Sequence, residues 1–126
     1  ANAGLGAVHG LAGVIGGMTG AAHGAICGAL LGPVLAANRA ATSGAALARV
    51  DEVCAMLAGV LGCGVSEAPQ ALQDWAQAAG LSDLAALGVR AEMHAEIAQA
   101  SVSASSMKGN PVALSEAALR RVLDQS

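Results

Sequence analysis

The chain is expected to be all-helical, a helical bundle, on three observations. Ala and Leu, both strong helix formers, dominate it, and β-branched and aromatic strand formers are few. From residue 45 onward apolar residues recur with a helical period. The balance of 55% apolar to 12% charged residues is the reverse of a disordered chain. A length of 126 residues is enough for one domain. There are 32 Ala and 17 Gly, and the lone aromatic residue is Trp75. Such a core must rely on close backbone approach, with Leu and Val as its main fillers.

Residues 1–38 contain no Asp, Glu, Lys or Arg, and the first charge is Arg39. Helices are expected over 3–18 and 23–38, with a break from Gly16-Gly17 through Gly20. Pro33 should kink or interrupt the second helix. From Ala45 to Leu61 one face carries Leu47, Val50, Val53, Cys54, Leu57, Val60 and Leu61, with Arg49, Asp51 and Glu52 off it. Gly62-Cys63-Gly64 ends that helix. Ser66 should cap the next, with Pro69 near its start. Leu72, Trp75, Ala76 and Ala79 form its stripe, and Gly80 stops it. A short helical turn, Ser82 to Leu87, ends at Gly88. The helix Ala91 to Ser103 turns Met93, Ile97 and Ala100 to one side. Lys108-Gly109-Asn110-Pro111 reads as a turn. Ser115 caps a last helix with Leu119, Val122 and Leu123 inward. Arg120 and Arg121 are placed near its C-terminus, where the helix dipole favours cations.

The formal charge of −3 forms no basic stripe, so no nucleic-acid partner is expected. Cys27, Cys54 and Cys63 form no CxxC pair, which points to reduced, buried, inert thiols and a cytoplasmic setting. No signal peptide is indicated, and the absence of an initiator Met reads as a start inside something longer. Gly16, Gly20, Gly24, Gly28 and Gly32 repeat every four residues, as do Gly6/Gly10 and Gly13/Gly17. In a helix this spacing makes a flat strip that another backbone can approach; in lipid it marks a dimerisation face. Two histidines, Gly-Gly at mid-span and the lack of flanking anchors favour a tightly packed helix pair over a membrane partner. Gly4-Leu5-Gly6-Ala7-Val8-His9 lacks the preceding strand and further glycine of a dinucleotide fingerprint.

His9 and His23 each sit among glycine and small apolar residues. Two neutral imidazoles facing one point suit a divalent metal. Two separately satisfied core histidines fit the same spacing, and the spacing does not choose between them. A catalytic zinc takes three protein ligands plus an open position, so any site is incomplete with these two. Further ligands must come from Asp51 or later, from another chain, or from sequence upstream. His94, between Glu92 and Glu96, reads as a solvated surface histidine, and the two glutamates as a solvated face.

At these histidines a family pattern is reached. Gly4-Leu5-Gly6-Ala7-Val8-His9-Gly10-Leu11-Ala12-Gly13, Ile15-Gly16-Gly17-Met18 and Ala22-His23-Gly24-Ala25 resemble the second signature of the iron-containing (group III) alcohol dehydrogenases. Leu30-Leu31-Gly32-Pro33-Val34 and Ala37-Asn38 look like the helix that follows it. Ser105-Ser106-Met107-Lys108-Gly109-Asn110-Pro111 and the Leu114 to Leu123 helix are similar to the family's C-terminal segment. The resemblance covers essentially the whole chain. Two departures stand out. Many members have a further histidine four residues after the one matching His9, often linked to proton transfer, where this chain has Gly13. The second histidine often follows Pro, and here it follows Ala22.

The resemblance implies an enzyme with a dinucleotide-binding domain ahead of an all-helical domain, of which residues 1–126 would be a single C-terminal portion. It implies a divalent metal, Fe2+ or Zn2+, held by an Asp and three His, two of which match His9 and His23. It also implies NAD(P) and a small alcohol or aldehyde as substrate, while a homo-oligomer is expected through apolar surface on segment 1–38. Metal polarisation of the alcohol or carbonyl oxygen would accompany hydride exchange with the nicotinamide. Gly13 and Gly16 are expected to shape the substrate side. The 126-residue chain alone is expected to be inactive, with any exposed apolar surface on segment 1–38. The alternative is a stand-alone helical interaction module that has the fold without the catalysis.

Overall fold

The computed structural model describes residues 6–126. The expected helix start at 3–5, and Gly4 and Leu5 of the signature, lie outside them. Six α-helices follow in order: α1 Gly6–Thr19, α2 His23–Ala41, α3 Gly44–Leu61, α4 Ala68–Ala78, α5 His94–Val102 and α6 Glu116–Gln125. Short 3-10 turns at 65–67, 91–93 and 105–109 link them, and no strand occurs among the described residues. The all-helical expectation holds.

The core has two parts. The larger joins α1, α2, α5 and α6 through Leu11, Ile15, Ile26, Leu30, Ile97 and Leu119, all fully buried. The smaller, around Leu35, Val50, Cys54, Ala58 and Ala68, holds α3 and α4 against the second half of α2. Residues 6–38 therefore supply much of the larger core, with Met18 their one large exposed apolar side chain. Most large exposed apolar side chains lie later, among them Met56, Val60 and Trp75. By length and composition α2 is apolar enough to cross a membrane. Here Ile26, Leu30, Val34 and Leu35 are instead buried within the bundle.

Several elements depart from expectation. α1 runs through Gly16-Gly17 and stops only at Gly20, whose φ of 74° needs no side chain. α2 continues across buried Pro33 to Ala41. Pro33 has no N–H to give the carbonyl four residues back, but packing on both sides keeps the helix going. Val60 at the end of α3 is exposed, lying outside the cluster that takes in Val50, Val53, Cys54, Leu57 and Ala58. Ser66 lies inside a 3-10 turn and does not cap α4; Pro69 is in its first turn. Trp75 and Ala79 face solvent, leaving Ala76 as the buried member of that stripe. Residues 82–88 form turns rather than helix, with Leu84 buried. α5 turns Ile97, Ala98 and Ser101 inward, so Ala100 is exposed. The Ser115 cap is present, its Oγ accepting from Ala118 N–H at 3.0 Å, and Leu119, Val122 and Leu123 are buried. Arg120 and Arg121 sit at mid-helix, since α6 runs on to Gln125.

α1 and the 105–110 segment meet backbone to backbone. A Cβ on Gly6 would fall 2.6 Å from Asn110 N and from the Ser106 carbonyl oxygen, and one on Gly10 would meet the Met107 side chain. Asn110 locks this approach. Its Oδ1 accepts from Ala7 N–H at 3.2 Å and from Asn38 Nδ2 at 3.0 Å. Its Nδ2 donates to Asn38 Oδ1 at 2.7 Å and to the Val112 carbonyl at 2.8 Å. Asn38 is fully buried. One amide thus ties α1, α2 and the C-terminal turn together.

Gly6→Ala is expected to destabilise the fold by about 1–3 kcal/mol, because backbone must move to admit the methyl group. Gly17→Ala, in helix with open space above it, is expected to stabilise by about 0.5–1 kcal/mol. Urea denaturation midpoints of the two variants should shift in opposite directions. In the same assay Asn110→Ala should cost about 2–3 kcal/mol, since it strands the buried Asn38 amide; a neutral Asn110→Ala would disprove the clamp.

Candidate metal centre

His9 lies in the first turn of α1, on the face that also carries Gly13 and Gly17. That face points away from Ala7, Val8, Leu11 and Ile15, so His9 is exposed. His23 opens α2 and is also exposed. The link between them is fixed by local chemistry. Thr19 Oγ1 donates to the Ile15 carbonyl at 2.9 Å and accepts from Ala21 N–H at 3.1 Å. Left-handed Gly20 and extended Ala22 turn the chain back over α1. The two imidazoles come to rest face to face, their ring centroids 5.7 Å apart and their planes within 10° of parallel. The sequence-predicted pair is therefore brought together, on an open surface rather than in a buried core.

Cys27 joins them. It lies four residues after His23, one helical turn along the same face of α2. One donor atom from each of His9, His23 and Cys27 lies within 4.8 Å of the other two. Cys27 is half-buried, and burial pushes its thiol up from the ordinary value, opposed by a backbone hydrogen bond. The sequence reading placed all three cysteines among inert core thiols. That description suits Cys54, which is fully buried and likewise raised by burial. The overlooked signal was the His23–Cys27 spacing.

Several other titratable groups are engaged elsewhere. Asp51 pairs with Arg39 at 2.8 Å, tying α3 to the end of α2. His94 is not a solvated surface residue: its side chain is 12% exposed and its Nδ1 is 2.7 Å from Asp124 Oδ1 on α6. Glu92 bonds exposed Arg90 at 3.0 Å. Its carboxyl is held below the usual range, first by a backbone hydrogen bond and then by Arg90.

Gly13 is exposed one turn beyond His9, with nothing within 4 Å of where a Cβ would stand; Gly16 is half-buried against Ile26. Gly17, Gly20 and Gly24 also have open space above them. The backbone around the histidines is consequently bare. Two cavities of about 330 and 370 Å³ are formed by the second half of α2 with α4 and α6, and touch neither histidine nor these glycines.

A helical bundle that gathers two imidazoles and a thiol at an open helix–helix surface belongs with helical domains able to offer donors to a divalent ion. The model of the Fe-containing alcohol dehydrogenase family, C-terminal, matches residues 1–126, and the chain belongs to that family. Searches of curated proteins and of solved structures find no match.

Because His9 and His23 are exposed, replacing either with Ala should change stability by no more than about 0.5 kcal/mol. His94→Ala should cost about 1 kcal/mol through loss of its bond to Asp124. Thermal unfolding of the three variants would show this contrast, and a large loss on His9→Ala would mark that residue as structural.

Proposed function

We propose that the chain is the metal-bearing helical portion of a cytoplasmic, NAD(P)-linked alcohol dehydrogenase or aldehyde reductase acting on a small alcohol or aldehyde. The observation that carries this reading is the parallel His9–His23 pair, delivered by two different helices to one open surface in a member of this family. The donor set fits a divalent metal, Fe2+ or Zn2+, since neutral imidazole suits both ions. When bound, the ion supplies Lewis-acid polarisation of the alcohol or carbonyl oxygen, and the nicotinamide supplies the hydride chemistry.

The chain's own residues have distinct tasks. His9 and His23 would hold the ion, which would supply Lewis-acid polarisation to a substrate oxygen beside them. Gly13, Gly17 and Gly24 keep side chains away from that pair, so that a substrate can approach the backbone closely. Gly13 and Gly16 border the substrate on the α1 side. Gly13 carries no proton-relaying group, so the proton of the alcohol leaves through water or through a group outside residues 6–126.

In the full-length protein, His9→Ala or His23→Ala should abolish stoichiometric metal, read by elemental analysis. Either should lower kcat/KM for alcohol oxidation by about 10²–10³-fold, from several kcal/mol of lost charge stabilisation. Retention of both metal and activity by these variants would refute the reading.

A further inference from the structure

The two cavities along the second half of α2 lie apart from the histidines and share Ala36, Ala40 and Gln125, so they sit side by side. Their lining is selective in charge. Arg39 lines the first and Arg121 the second, and no Asp or Glu lines either, in a chain whose formal charge is −3. The first, of about 330 Å³, has the size of a small-molecule site and mixes apolar walls with a few polar groups. Its Arg39 is braced from α3: Asp51 Oδ1 accepts from Nε at 2.8 Å. That bond fixes the planar fork and leaves the donors of its two terminal nitrogens to other acceptors. Among the described residues, neither terminal nitrogen nor the Ser66 hydroxyl has a hydrogen-bond partner. Acceptors come from α4. Gln70 gives its Nε2 to Asp74 and Gln73 gives its Nε2 to the Gln125 carbonyl, so the Oε1 of each is left to accept.

We propose that this cavity is a second binding site, for a small hydroxycarboxylate, with the carboxylate on the Arg39 fork and hydroxyls on the Gln70 and Gln73 amide oxygens. A guanidinium edge matches a carboxylate through two parallel N–H···O bonds. An apolar ligand would leave the fork and both amide oxygens unpaired, and a cation would meet positive charge from both arginines. A carboxylate without hydroxyls would satisfy the fork and strand the glutamines. Arg121 in the neighbouring cavity adds attraction for an anion at longer range. Asp51 is a positioning residue: it aims the fork and does not line the cavity. The site stands independently of the reading of His9 and His23.

The test is isothermal titration calorimetry of the full-length protein with sodium tartrate, compared with succinate, which lacks the hydroxyls, and erythritol, which lacks the charge. Tartrate should bind with one-to-one stoichiometry, succinate more weakly and erythritol not at all. Arg39→Gln should weaken tartrate binding by about 10–100-fold, the loss expected for hydrogen bonds to a charged group. Arg49→Gln, at an exposed arginine outside the cavity, should leave it unchanged. Ala36→Leu, which fills the cavity and keeps the Arg39–Asp51 pair, should weaken it too, and serves if Arg39→Gln fails to fold. His9→Ala should bind tartrate as the wild type does. Binding lost in His9→Ala but kept in Arg39→Gln would place tartrate on a metal ion at the histidines and overturn this site while leaving the metal reading intact. No heat with tartrate, equal affinity for succinate, or equal losses in Arg39→Gln and Arg49→Gln would each overturn it.

Discussion

The rotation of α1 about its own axis is the constraint on which the rest depends, and the Asn110 amide sets it. Gly6 and Gly10 let the 105–110 backbone press against one side of the helix, and Asn110 holds Ala7 N–H and Asn38 at once. With that side fixed, Ala7, Val8, Leu11 and Ile15 turn into the core. The remaining arc carries His9, Gly13 and Gly17 outward. A register change of one residue at this contact would turn His9 by about 100° and remove it from His23. The C-terminal turn, some hundred residues away in sequence, thereby positions the first histidine.

The four-residue glycine period serves two different ends in one helix pair. Gly6, Gly10, Gly28 and Gly32 are packing positions. A Cβ on Gly32 would lie 2.8 Å from the Pro69 carbonyl oxygen, and one on Gly28 would meet Leu81. Gly13, Gly17, Gly20 and Gly24 face open space. Each glycine in helix gives up about 0.5–1 kcal/mol relative to Ala. At the packed positions close approach of backbones offsets that cost. At the open ones inside helix, Gly13, Gly17 and Gly24, no packed neighbour within 4 Å offsets it; under the proposed function their smallness leaves room beside the histidines.

Much of this was legible in the sequence. Composition and period gave the helical class, Ser115 announced the last cap, and the His9 and His23 pattern named the family. The failures share a cause: local rules were applied where tertiary contacts decide. Pro33 was read as an interruption, yet burial on both flanks carries α2 through it. Trp75 and Val60 fit an apolar stripe but stay exposed, outside the cluster of Val50, Cys54 and Ala58 that joins α3 and α4. His94 looked solvated between two glutamates, whereas its partner, Asp124, is thirty residues away on α6. Cys27 was passed over because a thiol among Ala and Gly looks like core; its neighbourhood became chemical only when α1 laid His9 beside it.

Charge gives the centre its character. Two imidazoles bring no charge to a dication, and the nearest carboxylate in sequence, Asp51, is committed to Arg39. An ion held by His9 and His23 alone would keep its full double charge at a surface walled by Gly, Ala and Ile. That charge would favour the proposed reaction, because positive charge fixed beside a substrate oxygen stabilises negative charge developing there. Under the proposed function, residues 6–38 bring no carboxylate to the pair, so they would leave unneutralised the positive charge that a substrate oxygen would meet.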